Sequence, residues 1–194
     1  PLAVVDANIP VPLEVEPLRG RRPNLIVELA SSEALPKRLN EADILVTSNG
    51  SWDDQFLNGL EAGNWVQTIG AGYDQFPLER FEDRGIIFTN ATGIHGPSAG
   101  EHVMALLLSF ASRLHHLRDA QHDTRWDRLY GSELAEKTIT VLGLGNIGEA
   151  IAVRAEAFGM DVRAVKRDFD TYDGCLGPDQ LYKPSQVEAL LPST

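Results

Sequence analysis

The chain has one cysteine, two methionines and four lysines in 194 residues. A single thiol, Cys175, rules out an internal disulfide framework. With no activating base nearby it reads as incidental, and it fits a reducing, cytoplasmic setting. Long apolar runs are missing too. The longest, Val103–Ala111, is far too short to cross a bilayer, and no basic-then-apolar leader with a small-residue cleavage site is visible, so no membrane association is expected. His, Cys, Asp and Glu form no cluster with metal-ligand spacing, so no metal is expected. Basic charge is scarce: 28 carboxylates stand against 17 cations, for a net charge of −11. That balance argues against nucleic acid as a partner, because a phosphate backbone needs a basic surface. Thirteen of the cations are Arg. An acidic, lysine-poor surface is the balance expected of a halophile's protein, in which salt screens self-repulsion and dense carboxylates keep the chain hydrated. An ordinary acidic enzyme has the same balance, so both readings stand.

A hydrophobic content of 43% is enough for a packed core. The first half alternates short apolar runs with helical patterns. Strands are expected at Leu2–Val5, Leu25–Leu29, Ile44–Thr47, Trp65–Ile69 and Ile86–Thr89, with helices at Ser31–Asn40, Asp53–Ala62 and Pro77–Arg84. Such alternation points to a doubly wound parallel α/β layer. Gly93–Gly100, rich in Gly and Pro, reads as a hinge between two units, taken as 1–97 and 98–194. A long helix is expected from about Ser98 to Gln121. Val103, Leu106, Leu107, Phe110, Leu114 and Leu117 fall on one face of it, a stripe suited to packing or to a subunit interface. A loop, Asp123–Glu136, follows.

Residues 138–167 are the most informative. The strand pattern Ile139–Leu142 runs into Gly143-x-Gly145-x-x-Gly148. An amphipathic helix then begins near Asn146, with Ile147, Ile151, Ala155 and Phe158 on its apolar face. Gly159 ends it before a second strand, Met160–Val165. This is the spacing of a dinucleotide-binding βαβ unit. The first glycine makes the tight turn, the second lets backbone approach a pyrophosphate, and the third lets helix pack on strand. The helix N-terminus, from Asn146 and Ile147, aims free N–H groups at the phosphates. At the end of the second strand, where NAD sites place a carboxylate for the ribose hydroxyls, stand Lys166 and Arg167. Two cations suit the 2′-phosphate of NADP, and a planar guanidinium can grip it. Asp168, one step on, keeps NAD possible. A further helix is expected near Pro184–Leu191.

Three motifs in order carry a resemblance: Trp65-Val66-Gln67-Thr68-Ile69-Gly70-Ala71-Gly72-Tyr73-Asp74, Gly100-Glu101-His102-Val103-Met104-Ala105-Leu106-Leu107-Leu108, and the run through Trp126, Arg128 and Glu133–Thr138 into the glycine turn. With them the chain resembles the D-isomer-specific 2-hydroxyacid dehydrogenases, a family that includes glyoxylate/hydroxypyruvate reductases. The resemblance implies two Rossmann/flavodoxin-like domains, a substrate domain and a cofactor domain that is incomplete here. It implies hydride transfer between NAD(P) and a 2-keto or D-2-hydroxy acid, and a homodimer formed through the helix around Val103–Leu117. Ala71 and Gly72 match the loop whose backbone amides hold the substrate carboxylate. Ser48, Asn49 and Gly50 match the facing wall of that pocket, and Ser98 matches a position that touches the cofactor diphosphate. The family's catalytic arginine, glutamate and histidine have no match among these residues. The chain therefore reads as a fragment ending inside the cofactor domain, with no catalytic residue of its own and no turnover by itself. His102, beside Glu101, reads as a helix-start residue and not as the catalytic histidine. A dinucleotide-sensing interaction protein of the co-repressor type is the alternative from a different class.

Overall fold

Short apolar runs become parallel strands wherever the intervening chain is long enough for a crossover. In the unit Pro1–Thr92 they are β1 (Leu2–Asp6), β2 (Ile26–Ala30), β3 (Ile44–Thr47), β4 (Trp65–Thr68) and β5 (Ile87–Thr89). Between them run helices α1 (Glu16–Arg21), α2 (Leu35–Arg38), α3 (Asp54–Leu57) and α4 (Leu78–Asp83). The sheet order is β2-β1-β3-β4-β5, parallel at every pair, so the winding reverses between β1 and β3. The computed structural model describes residues 1–7, 9, 16–22, 24–31, 33–48, 52–168, 170 and 172–193.

Alternate strand residues feed the two faces of this sheet. Val4, Leu45 and Val66 are fully buried against Leu39, Leu57 and Phe81, while Ala3, Val5 and Val27 pack on the other side. The Trp52 ring sits edge-on to Phe56 and Phe81, with centroids 4.9 and 5.1 Å away. Two helices are shorter than the sequence pattern suggests. Pro36 fits only the first turn, so α2 begins at Leu35 and tightens into a 3₁₀ turn at Leu39–Glu41. Helix α3 is capped by Asp53, whose carboxylate accepts from the Phe56 N–H at 2.8 Å. It ends before Gly59, where an added Cβ would lie 2.8 Å from that of Leu39.

The unit Gly93–Thr194 begins with α5 (Gly96–Ala111) and α6 (Leu114–His122). It continues with β6 (Thr138–Leu142), α7 (Asn146–Ala157), β7 (Asp161–Val165), β8 (Leu181–Tyr182) and α8 (Val187–Leu190). Its sheet, β6-β7-β8, is parallel, with Thr138 opposite Asp161 and Leu142 opposite Val165. Val141, Leu144, Ala152, Ala155, Val162 and Ala164 form its core.

Three expectations are corrected in this unit. The single helix from Ser98 to Gln121 is two helices, because Arg113 adopts a left-handed φ of 54° between them. The break is held from afar: the Ser132 N–H donates to the Ala111 carbonyl at 2.8 Å, closing the end of α5. The supposed hinge at Gly93–Gly100 is partly helix, since α5 starts at Gly96 with Pro97 in its first turn. Finally, the buried face of α7 is Gly148, Ala152 and Ala155; Ile147 and Phe158 are 45% and 44% exposed. Here α5 approaches α7 so closely that a Cβ on Gly100 would stand 3.0 Å from the Ala150 carbonyl oxygen. Only small residues fit that crossing.

Candidate functional site

Strand β6 delivers the chain into the glycine turn. Gly143 takes φ 102°, open to glycine at little cost, and its N–H donates to the Val165 carbonyl at 2.9 Å, tying the turn to the end of β7. Gly145 stands just before α7 in extended backbone, φ −104° and ψ −162°. Nothing lies within 4 Å of a Cβ added at either residue. Gly148 is the opposite case. A Cβ there would come closer to the Gly143 carbonyl oxygen than the 3.0 Å that real Cβ atoms keep, and would sit 3.1 Å from its carbonyl carbon. So the third glycine seats the helix, and the first two leave an open backbone surface in front of it. The first-turn N–H groups of α7, around Asn146, Ile147 and Gly148, have no acceptor within the helix. An open, glycine-lined rim before a twelve-residue helix fits a pyrophosphate.

Ser98 lies in the first turn of α5, exposed, with its hydroxyl donating to the His95 carbonyl at 3.3 Å. At the end of β7 the two cations differ. Lys166 Nζ donates to the Leu144 carbonyl inside the glycine turn at 2.8 Å and stands 5.9 Å from the centre of the Tyr172 ring. Arg167 is exposed, and Asp168 accepts the Asp170 N–H at 3.1 Å.

Behind Lys166 lies a cluster that sequence reasoning missed. Glu149, in the first turn of α7, accepts from the Cys175 N–H at 3.4 Å and from its Sγ at 3.1 Å. Burial works against ionisation of Glu149. The Tyr172 hydroxyl, the Cys175 donors and the Lys166 charge outweigh it and hold the carboxyl below its ordinary range. Burial and the neighbouring carboxylate push the Cys175 thiol up to about 11, and the same two causes raise Tyr172. A thiol so placed is a poor nucleophile at neutral pH. The available signal was the acidic residue directly after the last glycine of the turn.

In the first unit the loop Gly70–Gly72 follows β4. Its carbonyls are taken by protein donors: the Ala91 N–H reaches the Gly70 oxygen at 3.0 Å and the Asn90 Nδ2 reaches that of Ala71 at 2.7 Å. The N–H groups of Ala71 and Gly72 make no hydrogen bond among the described residues, and space in front of Gly72 is open. Two unpaired N–H groups in a turn form a nest for an anion such as a carboxylate. Ser48 lies at the end of the neighbouring strand β3, half-buried. Asn49 and Gly50 lie outside the described residues. Asn90, which holds this loop, carried no pattern that would have singled it out.

Residues 104–191 match the family model described as D-isomer specific 2-hydroxyacid dehydrogenase, NAD binding domain. The chain is similar to the D-isomer specific 2-hydroxyacid dehydrogenases in this stretch and beyond it. It is 30% identical over 196 residues to a hydroxypyruvate reductase of Thermotoga maritima, which covers 96% of this chain and 63% of that relative. It is 33% identical over 135 residues to glyoxylate/hydroxypyruvate reductase B of Yersinia pestis, covering 66% and 41%. A solved D-isomer specific 2-hydroxyacid dehydrogenase family protein from Aeromonas salmonicida superposes with a TM-score of 0.78 at 27% identity, over 100% of this chain and 61% of that one. The chain thus spans less than two thirds of the length of these relatives.

The Glu101–His102 pair has structural surroundings. Glu101 on α5 forms an ion pair with Arg154 on α7, at 3.7 Å. His102 is exposed on α5. No group of three or more His, Cys, Asp or Glu able to hold a metal occurs among the described residues, and none of their helices is long and apolar enough to cross a membrane.

Proposed function

We propose that the protein containing this chain is an NAD(P)-dependent oxidoreductase that interconverts a 2-keto acid and a D-2-hydroxy acid. The observation that carries the reading is the glycine turn. Gly148 is kept as glycine by the Gly143 carbonyl and Gly143 by its own positive φ, whereas no neighbouring atom and no special backbone angle requires glycine at Gly145, and its open front leaves room for a diphosphate. The nicotinamide ring, when bound, supplies or takes up the hydride. The chain's own residues hold the two partners. Gly143, Gly145 and the N–H groups of Asn146, Ile147 and Gly148 take the diphosphate, with Ser98 beside it. Ala71 and Gly72 take the substrate carboxylate, and Ser48, Asn49 and Gly50 are assigned to the same substrate site from their match to the family. NADP is the preferred cofactor, with NAD possible, because the basic pair Lys166-Arg167 stands where a ribose-binding carboxylate is usual, with Lys166 engaged by the glycine turn and Arg167 exposed.

The same reading places the protein in the cytoplasm as a homodimer formed through the helices around Val103–Leu117. Phe110 is 72% exposed and Leu114 55% exposed on that stretch. None of the relatives named above is a co-repressor, which leaves the sensor alternative without support. Titration calorimetry of this chain with NADPH and NADH, and turnover of glyoxylate, hydroxypyruvate and pyruvate by the whole protein, test the reading. NADPH should bind more tightly. Equal affinities would remove the NADP preference, and no binding of either would remove the site.

A further inference from the structure

We propose that Lys166 is a positioning residue that aims the glycine turn at the diphosphate, and that it is not itself a ligand of the cofactor; the proposal rests on the dinucleotide reading above. Lys166 is held in place by groups of the protein. Its ammonium donates to the Leu144 carbonyl at 2.8 Å, lies 5.9 Å from the centre of the Tyr172 ring, and is close enough to Glu149 to favour the ionised carboxylate. Its backbone is fixed as well, since the Lys166 N–H donates to the Tyr182 carbonyl at 3.0 Å.

The carbonyl it grips is the informative one. The Leu144 C=O and the Gly145 N–H belong to one planar trans peptide unit and point in opposite directions. Pulling the carbonyl towards Lys166 therefore turns the Gly145 N–H the other way. Leu144 itself is anchored by a side chain only 3% exposed, so the peptide plane is held from both sides. A cation on the carbonyl also polarises the peptide and makes the Gly145 N–H a better donor. That N–H is the group the second glycine leaves open to a pyrophosphate. Arg167, exposed on the next residue, is then the cation left to meet a 2′-phosphate.

Three variants of the 194-residue chain separate the roles: Lys166→Met, Lys166→Arg and Arg167→Gln. The first measurement needs no ligand. In the free chain, Lys166→Met should move the Gly145 amide resonance upfield, Lys166→Arg should restore it, and Arg167→Gln should leave it in place. The second is calorimetry with NADPH and NADH. Lys166→Met should weaken both by the same factor, about tenfold, as expected for losing one charge-assisted hydrogen bond that acts on the shared diphosphate. The NADPH to NADH ratio should stay within about twofold of the parent, and Lys166→Arg should recover both affinities. Arg167→Gln should instead lower the ratio by about tenfold and leave NADH unchanged. An unmoved Gly145 resonance in Lys166→Met, or a ratio that collapses in Lys166→Met, overturns the proposal. A ratio untouched by Arg167→Gln overturns the part given to Arg167, even if Lys166→Met does not fold. If the parent binds neither dinucleotide, the functional reading fails, and the amide measurement still decides what Lys166 does.

Discussion

Replacing Gly145 and Gly148 separately by alanine should split ligand binding from folding. At Gly148 the new methyl meets the Gly143 carbonyl group, with Val141 Cγ1 3.3 Å away on the other side. The obstacle is backbone in a turn already at positive φ, so it has little room to retreat. Overpacking of this kind costs about 1–3 kcal/mol, and a rigid obstacle puts the cost near 3. Alanine regains about 1 kcal/mol of helix propensity in α7. The net loss is about 2 kcal/mol, and for a unit of this size roughly 4–8 °C of melting temperature is lost per kcal/mol. Gly148→Ala should therefore melt roughly 8–16 °C below the parent in the Gly93–Thr194 unit. Gly145→Ala meets nothing within 4 Å and keeps an extended backbone that any residue adopts. Its stability should stay within about 0.5 kcal/mol of the parent. In the complex, however, its methyl occupies the approach of the diphosphate, and losing a charge-assisted contact of about 1.5–3 kcal/mol weakens dinucleotide binding tenfold or more. Scanning calorimetry and binding calorimetry on the same preparations read both effects. A Gly145→Ala protein that binds NADPH like the parent would place the diphosphate elsewhere, and an unchanged melt in Gly148→Ala would refute the packing argument.

Cys175, with its thiol pushed up to about 11, should react with a disulfide reagent at pH 8 about tenfold more slowly than an ordinary thiol, the roughly hundredfold smaller thiolate fraction being partly offset by the higher nucleophilicity of a more basic thiolate, and Glu149→Gln should recover part of that rate by removing the carboxylate that holds the proton. A parent rate equal to that of free cysteine would show that the Glu149 contact does not form. The sign for stability follows: below the ordinary thiol range Cys175 contributes its full share, and that share falls as pH rises towards 11, because the unfolded thiol ionises first. A KCl series from dilute to molar, read by melting and by light scattering, tests the acidic surface and the apolar stripe together. The melt should rise with salt as carboxylate repulsion is screened, and the mass should be that of a dimer; a flat melt or a monomeric mass removes the corresponding reading.

Strands and the glycine turn were legible because their causes are local. Ile44–Thr47 is found where its apolar run predicts it, bounded by polar residues at both ends. Gly143, Gly145 and Gly148 announce a turn between strand and helix by spacing alone. What escaped was decided by distant partners. The apolar period from Val103 to Leu117 runs straight through Arg113, and nothing near Arg113 says that the helix must stop there. The stop is set by Ser132, which takes the Ala111 carbonyl, and by Gly131, whose missing side chain lets the returning chain come that close; a Cβ there would stand 2.7 Å from the Ala111 oxygen. Gly96 and Gly100 suggest a hinge from composition, yet they are the contact that lets α5 lie on α7. The apolar face expected of α7 is half right: Ala155 is buried and Ile151 packs on the core, but helices so close also bury Gly148 and Ala152 and leave Ile147 and Phe158 largely outside.

Under the proposed function the loop Gly70–Gly72 and the glycine turn solve one problem in two ways, each within its own unit. Both would present backbone N–H groups to an anion, and both lie at the carboxyl end of a parallel strand, where the chain leaves the sheet. A peptide plane shows its N–H outward only if its carbonyl is satisfied inward. At Ala71 the inward donor is Asn90, from the end of the adjacent strand β5. At Leu144 it is Lys166, from the end of the adjacent strand β7. The amide is neutral and the ammonium charged, which suits the ligands proposed for them: a single carboxylate at the first loop, and at the second a diphosphate whose greater negative charge gains more from a polarised N–H. Each donor acts through a carbonyl about 20 residues away in the chain and not on the anion itself, so neither could be recognised from its own sequence neighbourhood.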